Sequence, residues 1–319
     1  MGMITQASID HLQALMDQVD DSLKGTFQNI HQGCPTETYG RFLKAREGNI
    51  IKAHKMLVDC LKWRIENEID DILAKPIVPT EVYRSVRDSQ LIGLSGYTRE
   101  GLPVFAMGIG LSTLDKASVH YYIQSHIQIN EYRDRVTLPA ATKKYGKHIN
   151  KCLKVLDMNG LKLSALSQIK LMTMISTIDD LNYPEKTLTY YIVNAPYVFS
   201  ACWKVVKPLL HERTRKKVQV LSGCGRDDLL KIMDYESLPH FCRKEGSESS
   251  NRHSQASCYS FDHSFHQTMY SYIKQQAAFR DHPIRQGSLH VTLPDSSAED
   301  MEIAKTLESE LQKLNNEGK

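Results

Sequence analysis

The sequence predicts an α/β protein in which a small N-terminal helical bundle precedes a largely parallel sheet packed with helices. Three observations carry that expectation. Apolar residues recur at helical spacing through residues 1–75. Pro76 and Pro79 then interrupt the pattern. Beyond them short apolar strands alternate with helix-length segments, and strands joined by such crossovers pair in parallel. At 319 residues the chain can bury a sizeable core. It divides into a helical module (1–75), a sheet domain (76–246) and a linker with peripheral C-terminal helices (247–319).

Ile9, Leu12, Leu15, Met16 and Val19 lie at helical spacing in a polar amphipathic helix across Met1–Leu23. Pro35 and Thr36 open a second helix, which carries Phe42 and Leu43. Ala53, Met56, Leu57, Cys60, Leu61 and Arg64 give a third its buried stripe. In the sheet domain, Pro103–Gly110 is an apolar strand entered through the turn at Glu100–Gly101. A long helix follows from Leu114 to about Lys144, with a break at Pro139. Strand Cys152–Met158, helix Ser164–Leu181, strand Thr187–Ala195, helix Tyr197–Leu210 and strand Val218–Leu221 complete the series. Past Gly246 the run GSESSNRHSQAS reads as an exposed linker and Phe265–Phe279 as a further helix. The remainder, with an acid- and amide-rich helix near Glu299–Leu314, reads as peripheral.

A net charge of +3 does not mark a nucleic-acid binder, so the clustering of positive charge matters more than its total. No apolar run approaches the ~20 residues that span a bilayer, and the N-terminal segment is no signal peptide, so the chain reads as cytosolic. Its seven cysteines are scattered, odd in number and without a C-x-x-C pair, which predicts free and mostly buried thiols. His240, Cys242, His253, Cys258, His263 and His266 lie close in sequence, but their spacing matches no familiar zinc pattern, and no metal is expected.

Signatures of catalysis are weak. There is no G-x-S-x-G, Walker loop or H-E-x-x-H, and Gly108-x-Gly110 lacks the third glycine of a dinucleotide loop. Asp157, Asp179 and Asp180 could be acid–base groups, but an aspartate ending a strand is more often a turn or cap residue. Gly223–Asp228 could hold an anion on backbone N–H groups; an ordinary strand-to-helix turn fits it better. No catalytic residue and no cofactor are expected.

The stretch Asn182–Leu221 carries the most information. Its strand has Tyr190, Tyr191, Ile192 and Val193 in succession, which predicts apolar partners on both faces. Pro196 then starts a helix rich in aromatic and aliphatic residues, with Lys204 and Lys207 among them. Interior helix and membrane-interface helix fit these residues equally well. Arg213, Arg215, Lys216 and Lys217 follow, with Thr214 adding a hydroxyl suited to phosphate. A greasy helix beside a cationic cluster suits a ligand with a long apolar part and an anionic head.

Several strings then coincide in order and spacing: Arg41-Phe-Leu-Lys-Ala-Arg46, Trp63-Arg64, Gly101-Leu-Pro-Val104, Leu138-Pro139 and Asp157-x-x-Gly160. Tyr183-Pro-Glu185, Ile192-Val-Asn-Ala-Pro196 and Lys207-Pro208 continue the set. Over about Thr36–Arg243 the chain resembles the CRAL-TRIO lipid-binding family, in the branch of the yeast-type phosphatidylinositol/phosphatidylcholine transfer protein. The resemblance implies a sheet floor and helical walls around one phospholipid, with the helix after the N-A-P string as a mobile gate. Two acyl chains of about thirty methylenes, at about 0.8 kcal/mol each, would cost tens of kcal/mol to pass through water, so exchange needs the gate open against a bilayer.

The resemblance assigns the inositol phosphate to Arg46, Thr214 and Lys217 and the inositol hydroxyls to Glu185. Tyr197, Phe199, Trp203, Val206 and Leu209 become the membrane gate. It implies a monomer that meets phosphatidylinositol, a second lipid and a transient membrane surface, with a lipid kinase as candidate partner, on endomembranes such as the Golgi. Departures from the pattern are Glu47 in place of a cation, Cys152 and Lys154 in place of hydroxyl residues, Asn130 in place of a tyrosine, and no glycine pair after Leu238-Pro239. Two alternatives stand beside this reading: a binder of a tocopherol-, retinoid- or sterol-type ligand, and a lipid-regulated adaptor without transfer activity.

Overall fold

In a computed structural model of the chain, residues 4–161, 168–197, 212–243 and 257–279 are described, with isolated positions at 199, 203, 207 and 291 and a few from 302 to 313. Four helices come first: α1 (Gln6–Met16), α2 (Asp21–His31), α3 (Pro35–Ala45) and α4 (Ile50–Glu66). The single helix expected across Met1–Leu23 is therefore two. Thr5 caps the first, and the acidic pair Asp20–Asp21 favours a fresh N-terminus before Leu23. Pro35 opens α3 at its first turn as expected. Leu12, Phe27, Phe42, Leu57 and Leu61 centre this module's own core, each worth ~1.5–3 kcal/mol of transfer free energy.

A 3₁₀ segment, Ile69–Ala74, leads to α5 (Thr80–Gln90) and β1 (Ile92–Tyr97), two elements the sequence reading missed. Buried Arg87, Ser89 and Gln90 share the inner face of α5 with Tyr83 and Val86, which blurs its apolar period. β1 contains Gly93 and Gly96, whose added Cβ atoms would strike the Cys258 carbonyl and Ser237. It pairs antiparallel with β2 (Pro103–Gly108) across the Glu100–Gly101 turn.

After β2 come α6 (Val119–Tyr132), a π-helical turn (Arg133–Thr137) and α7 (Leu138–Tyr145). The helix expected from Leu114 thus starts later, since Leu114 has a left-handed φ of 49°. Pro139 does not break it either: proline falls in the first turn of α7, and the preceding wide turn takes up the irregularity. β3 (Cys152–Asp157), α8 (Ile169–Asn182), β4 (Thr187–Val193) and β5 (Val218–Val220) complete the sheet domain.

The sheet runs β1-β2-β3-β4-β5, parallel from β2 onward. Strands added in one direction through right-handed crossovers leave their helices on one face. That face carries Phe105, Met107 and Cys152 against Ile123, Ile127 and Ile178. The other carries Val104, Leu153, Val155 and Val193 against Leu229, Met233 and Leu238. β4 is not apolar on both sides throughout, because Leu188 is exposed and Tyr190 stands beside Lys154.

The helix Ser264–Ala278, the last long one among the described residues, is not peripheral. Phe265, Met269, Tyr270 and Ile273 enter the main core, and Tyr270 stacks on Tyr83 at 4.4 Å and donates to the Ile77 carbonyl at 2.9 Å. It covers apolar surface that the 3₁₀ segment, α5 and β1 present on one side. The linker run after Gly246, the first part of the helix expected from Ser164 and the tail helix near Glu299–Leu314 fall wholly or mostly outside the described residues. The six described cysteines are free thiols.

Candidate functional site

The C-terminal end of α3, the entrance of β4 and the helical turn Glu212–Arg215 meet around one carboxylate. Glu185 is 3% exposed at its side chain and takes Lys217 Nζ at 2.9 Å, Arg213 Nε at 3.3 Å and Lys44 Nζ at 3.4 Å. Burial opposes its charge, but hydrogen bonding from Lys217 and the field of Lys217, Lys44 and Arg213 hold its carboxyl below the usual range. Its backbone is left-handed, with φ 62°, a conformation that L residues keep only where surroundings dictate it.

Arg213 also donates from Nη1 to the Ala45 carbonyl at 2.6 Å, satisfying a carbonyl that α3 leaves free at its end. That bond brings the basic turn to Arg46. Burial and the nearby Arg213 charge depress the Arg46 pKa, and among the described residues Arg46 makes no ion pair. Lys151, just before β3, is lowered by burial and by Lys44 and Lys217. Lys44, Arg46, Lys151, Arg213 and Lys217 thus outnumber the carboxylates that act on them, Glu185 at the centre with Asp180 toward Arg46 and Glu37 toward Lys151, a surplus of positive charge suited to a phosphate.

Of the four expected head-group residues, Glu185 and Lys217 touch, and Arg46 joins them through Arg213. Thr214 lies in the same helical turn, but its side chain is outside the described residues. Sequence reasoning placed Arg213 in the basic run after the apolar helix but missed Lys44 and Lys151 as members of the cluster. Lys44 sits two residues before Arg46 in the string already noted. Lys151 precedes Cys152, which pairs with Thr187 two residues after Glu185, so parallel register was the usable signal.

Among the gate residues, Tyr197 is 83% exposed. Phe199 and Trp203, one helical turn apart, stack with centroids 5.9 Å apart. Val206 and Leu209 lie outside the described residues.

A second polar group sits on the sheet face that the helices cover. Register aligns Phe105, Lys154, Tyr190 and Val218 across β2 to β5. Lys154 Nζ meets Asp179 Oδ2 on α8 at 3.1 Å, while His126 Nε2 and Asn130 Nδ2 on α6 approach Asp179 Oδ1 at 2.7 Å each. Burial opposes ionisation of Asp179, but His126 and Lys154 hold its carboxyl far below the usual range. Asp179 is therefore an ion-pair anchor and neither a strand-end cap nor an acid. Asp157 does serve a turn: its Oδ1 accepts from Asn159 N and Asn194 Nδ2. Gly110 is explained by close approach, since a Cβ there would lie 2.2 Å from the Asn159 carbonyl.

Among the described residues, His240, Cys242, Cys258, His263 and His266 do not gather as a metal set, and His253 lies outside them. Among the described residues the group of metal-type donors within 4.8 Å is Cys34, Glu37 and His148, where Glu37 pairs with His148 at 2.5 Å and faces Arg41. No described helix is long and apolar enough to cross a membrane.

The family model for the CRAL/TRIO domain matches residues 87–242, and that for the CRAL/TRIO N-terminal domain matches residues 8–59. The chain belongs to the CRAL/TRIO family. It is similar to the phosphatidylinositol/phosphatidylcholine transfer protein SFH9 of Arabidopsis thaliana, 31% identical over 65% of this chain and 37% of that one. The Sec14 cytosolic factor of Schizosaccharomyces pombe is 25% identical over 72% of this chain and 82% of its own. The crystal structure of Sfh5 shares the fold, with a TM-score of 0.53 and 18% identity over 73% of this CRAL/TRIO chain and 85% of Sfh5. The chain spans only 37%, 38% and 55% of the length of three plant relatives.

Proposed function

We propose that this protein binds phosphatidylinositol in an apolar pocket and transfers it between membranes or presents it at their surface. The inositol phosphate sits on Arg46, Thr214 and Lys217, with Lys44, Lys151 and Arg213 adding to the field, and Glu185 accepts inositol hydroxyls. The observation that carries the reading is the surplus of cations around the ionised, buried Glu185. A neutral ligand would leave that charge without a purpose.

The stacked Phe199–Trp203 pair and exposed Tyr197 support the gate role: an aromatic surface partitions into the lipid interface as the pocket opens. The relatives described as transfer proteins and cytosolic factors support a cytosolic carrier; that it is monomeric and transiently peripheral on endomembranes such as the Golgi is part of the same proposal. There it would serve vesicle trafficking and supply a lipid kinase. The reading needs no cofactor beyond the bound lipid and no catalytic residue.

The test is phosphatidylinositol transfer from donor to acceptor vesicles by the wild type and by an Arg46→Gln/Lys217→Gln variant. Two charge-assisted contacts at ~1.5 kcal/mol or more each predict a loss of about a hundredfold in the variant. Absence of transfer by the wild type, or equal transfer by the variant, contradicts the reading.

A further inference from the structure

A mixed set of donors gathers where the N-terminal module meets the sheet domain. Cys34 is the N-cap of α3, with Pro35 opening the first turn and Glu37 at the third helical position. Side chains at the cap and three residues on lie over the same helix end, which brings Cys34 and Glu37 together. His148 arrives from the other domain, in the loop between α7 and β3. That loop is held in place: Gly146 is left-handed, and the Thr142 hydroxyl accepts from Ile149 N at 3.0 Å and donates to the Ile149 carbonyl at 3.3 Å.

Cys34 Sγ, a Glu37 carboxylate oxygen and a His148 ring nitrogen all lie within 4.8 Å of one another. His148 Nε2 stands 2.5 Å from Glu37 Oε2, and Asn150 adds a side-chain hydrogen bond to Glu37. Around a tetrahedral ion with bonds of about 2.0–2.3 Å, donors stand about 3.3–3.5 Å apart, so shifts of about 1 Å close the set. The His148 side chain, 55% exposed, has room to make them. A cleft of about 290 Å³ opens beside the donors, lined also by His31, Arg41, Asp134 and Lys186, and gives water access.

The neighbouring charges decide which ion fits. Arg41 Nε stands 3.9 Å from Glu37 Oε1, and Lys186 is answered by Asp134 at 3.5 Å. Calcium and magnesium need several oxygen ligands, and here the one nearby carboxylate is shared with a guanidinium. A thiolate, an imidazole and a carboxylate suit zinc, whose bonds to sulfur and nitrogen hold it beside positive neighbours. His31 does not join them: its Nδ1 accepts from Gly33 N at 3.1 Å, which leaves the ring proton on Nε2 and no free lone pair.

We infer that Cys34, Glu37 and His148 form a zinc site that clasps the N-terminal module to the sheet domain. Cys34 binds through its thiolate, His148 through a ring nitrogen and Glu37 through a carboxylate oxygen. Zinc takes the place of the Cys34 thiol proton and of the proton between His148 Nε2 and Glu37 Oε2, and both protons pass to solvent. Water from the cleft fills the fourth position. His148 lies 111 residues beyond Glu37, so no sequence spacing announces the set. The site shares no residue with the Glu185 cluster and holds whichever lipid the protein carries.

The experiment titrates the untagged full chain, reduced and stripped with a chelator, first with cobalt(II) as spectroscopic probe and then with zinc. The expected result is one cobalt per chain, with a near-ultraviolet thiolate-to-metal band and the visible bands of four-coordinate cobalt, all removed by zinc. Cys34→Ser should abolish the thiolate band, and it and His148→Ala should each weaken zinc binding about tenfold or more. Zinc should raise the unfolding temperature of the wild type and leave that of Cys34→Ser unchanged. Absence of the thiolate band in the wild type overturns the site. So does a band and a zinc affinity undiminished in Cys34→Ser, which would place the ion on other thiols. Should Cys34→Ser not fold, the wild-type band and the zinc affinity of His148→Ala decide.

Discussion

Arg64 on α4 and Glu131 on α6 form a two-pronged ion pair in the interior, with Nη1 to Oε1 at 2.7 Å and Nη2 to Oε2 at 3.0 Å. Arg135 reaches the same carboxylate at 2.7 Å, Tyr183 donates to it at 2.7 Å, and Asp70 takes the other edge of Arg64. The pair ties the N-terminal module to the wall of the sheet domain. Burial opposes the Glu131 charge, but Arg64 and Arg135 hold its carboxyl down at about 2.

Glu131→Gln should therefore destabilise the protein by about 3–5 kcal/mol, because it leaves the buried Arg64 and the partly buried Arg135 guanidiniums with one carboxylate fewer. Urea unfolding measures this. The folded pKa lies below the unfolded value of 4.5, so the contribution is complete above pH 4.5 and is lost as pH falls toward about 2. The variant's stability should accordingly change less than the wild type's across that window. Parallel pH profiles would contradict the assignment.

Met269→Ala or Ile273→Ala in the closing helix should cost about 2–5 kcal/mol each, since both side chains are fully buried in the main core. Thermal or urea unfolding reads the effect. A cost within ~0.5 kcal/mol would mean that this helix is peripheral after all.

Trp203 offers a direct view of the gate. The chain has two tryptophans, so Trp63→Phe leaves Trp203 as sole reporter. Its emission should shift blue on adding vesicles, and lipid-borne quenchers should dim it. A Phe199→Ala/Trp203→Ala variant should slow transfer about tenfold or more, given the apolar area withdrawn from the interface. Unchanged emission and unchanged transfer would remove the gate from this surface.

Much of the fold was legible because its signals are local. Pro35 and the stripe through Ala53–Arg64 mark α3 and α4, and β2 to β5 are short apolar runs spaced by crossovers. α5 and β1 were not legible, because buried Arg87, Ser89 and Gln90 replace apolar residues in one and close-packed glycines interrupt the other. The closing helix looked peripheral since sequence does not say which apolar surface is left uncovered. At the site, Glu185 came from an ordered string and Arg213 and Lys217 from the basic run, whereas Lys151 is brought in by strand register and the contact of Arg213 with α3 by a helix-end carbonyl. Such links across distant segments leave little mark on local patterning.

The central claim is that one phosphatidylinositol occupies this molecule. Organic extraction of the full chain purified from cells, followed by mass spectrometry, tests it most directly. The account predicts phosphatidylinositol at near one per protein, falling sharply in the Arg46→Gln/Lys217→Gln variant. Extracts holding only a neutral isoprenoid or sterol, or no lipid at all together with no transfer between vesicles, would contradict it.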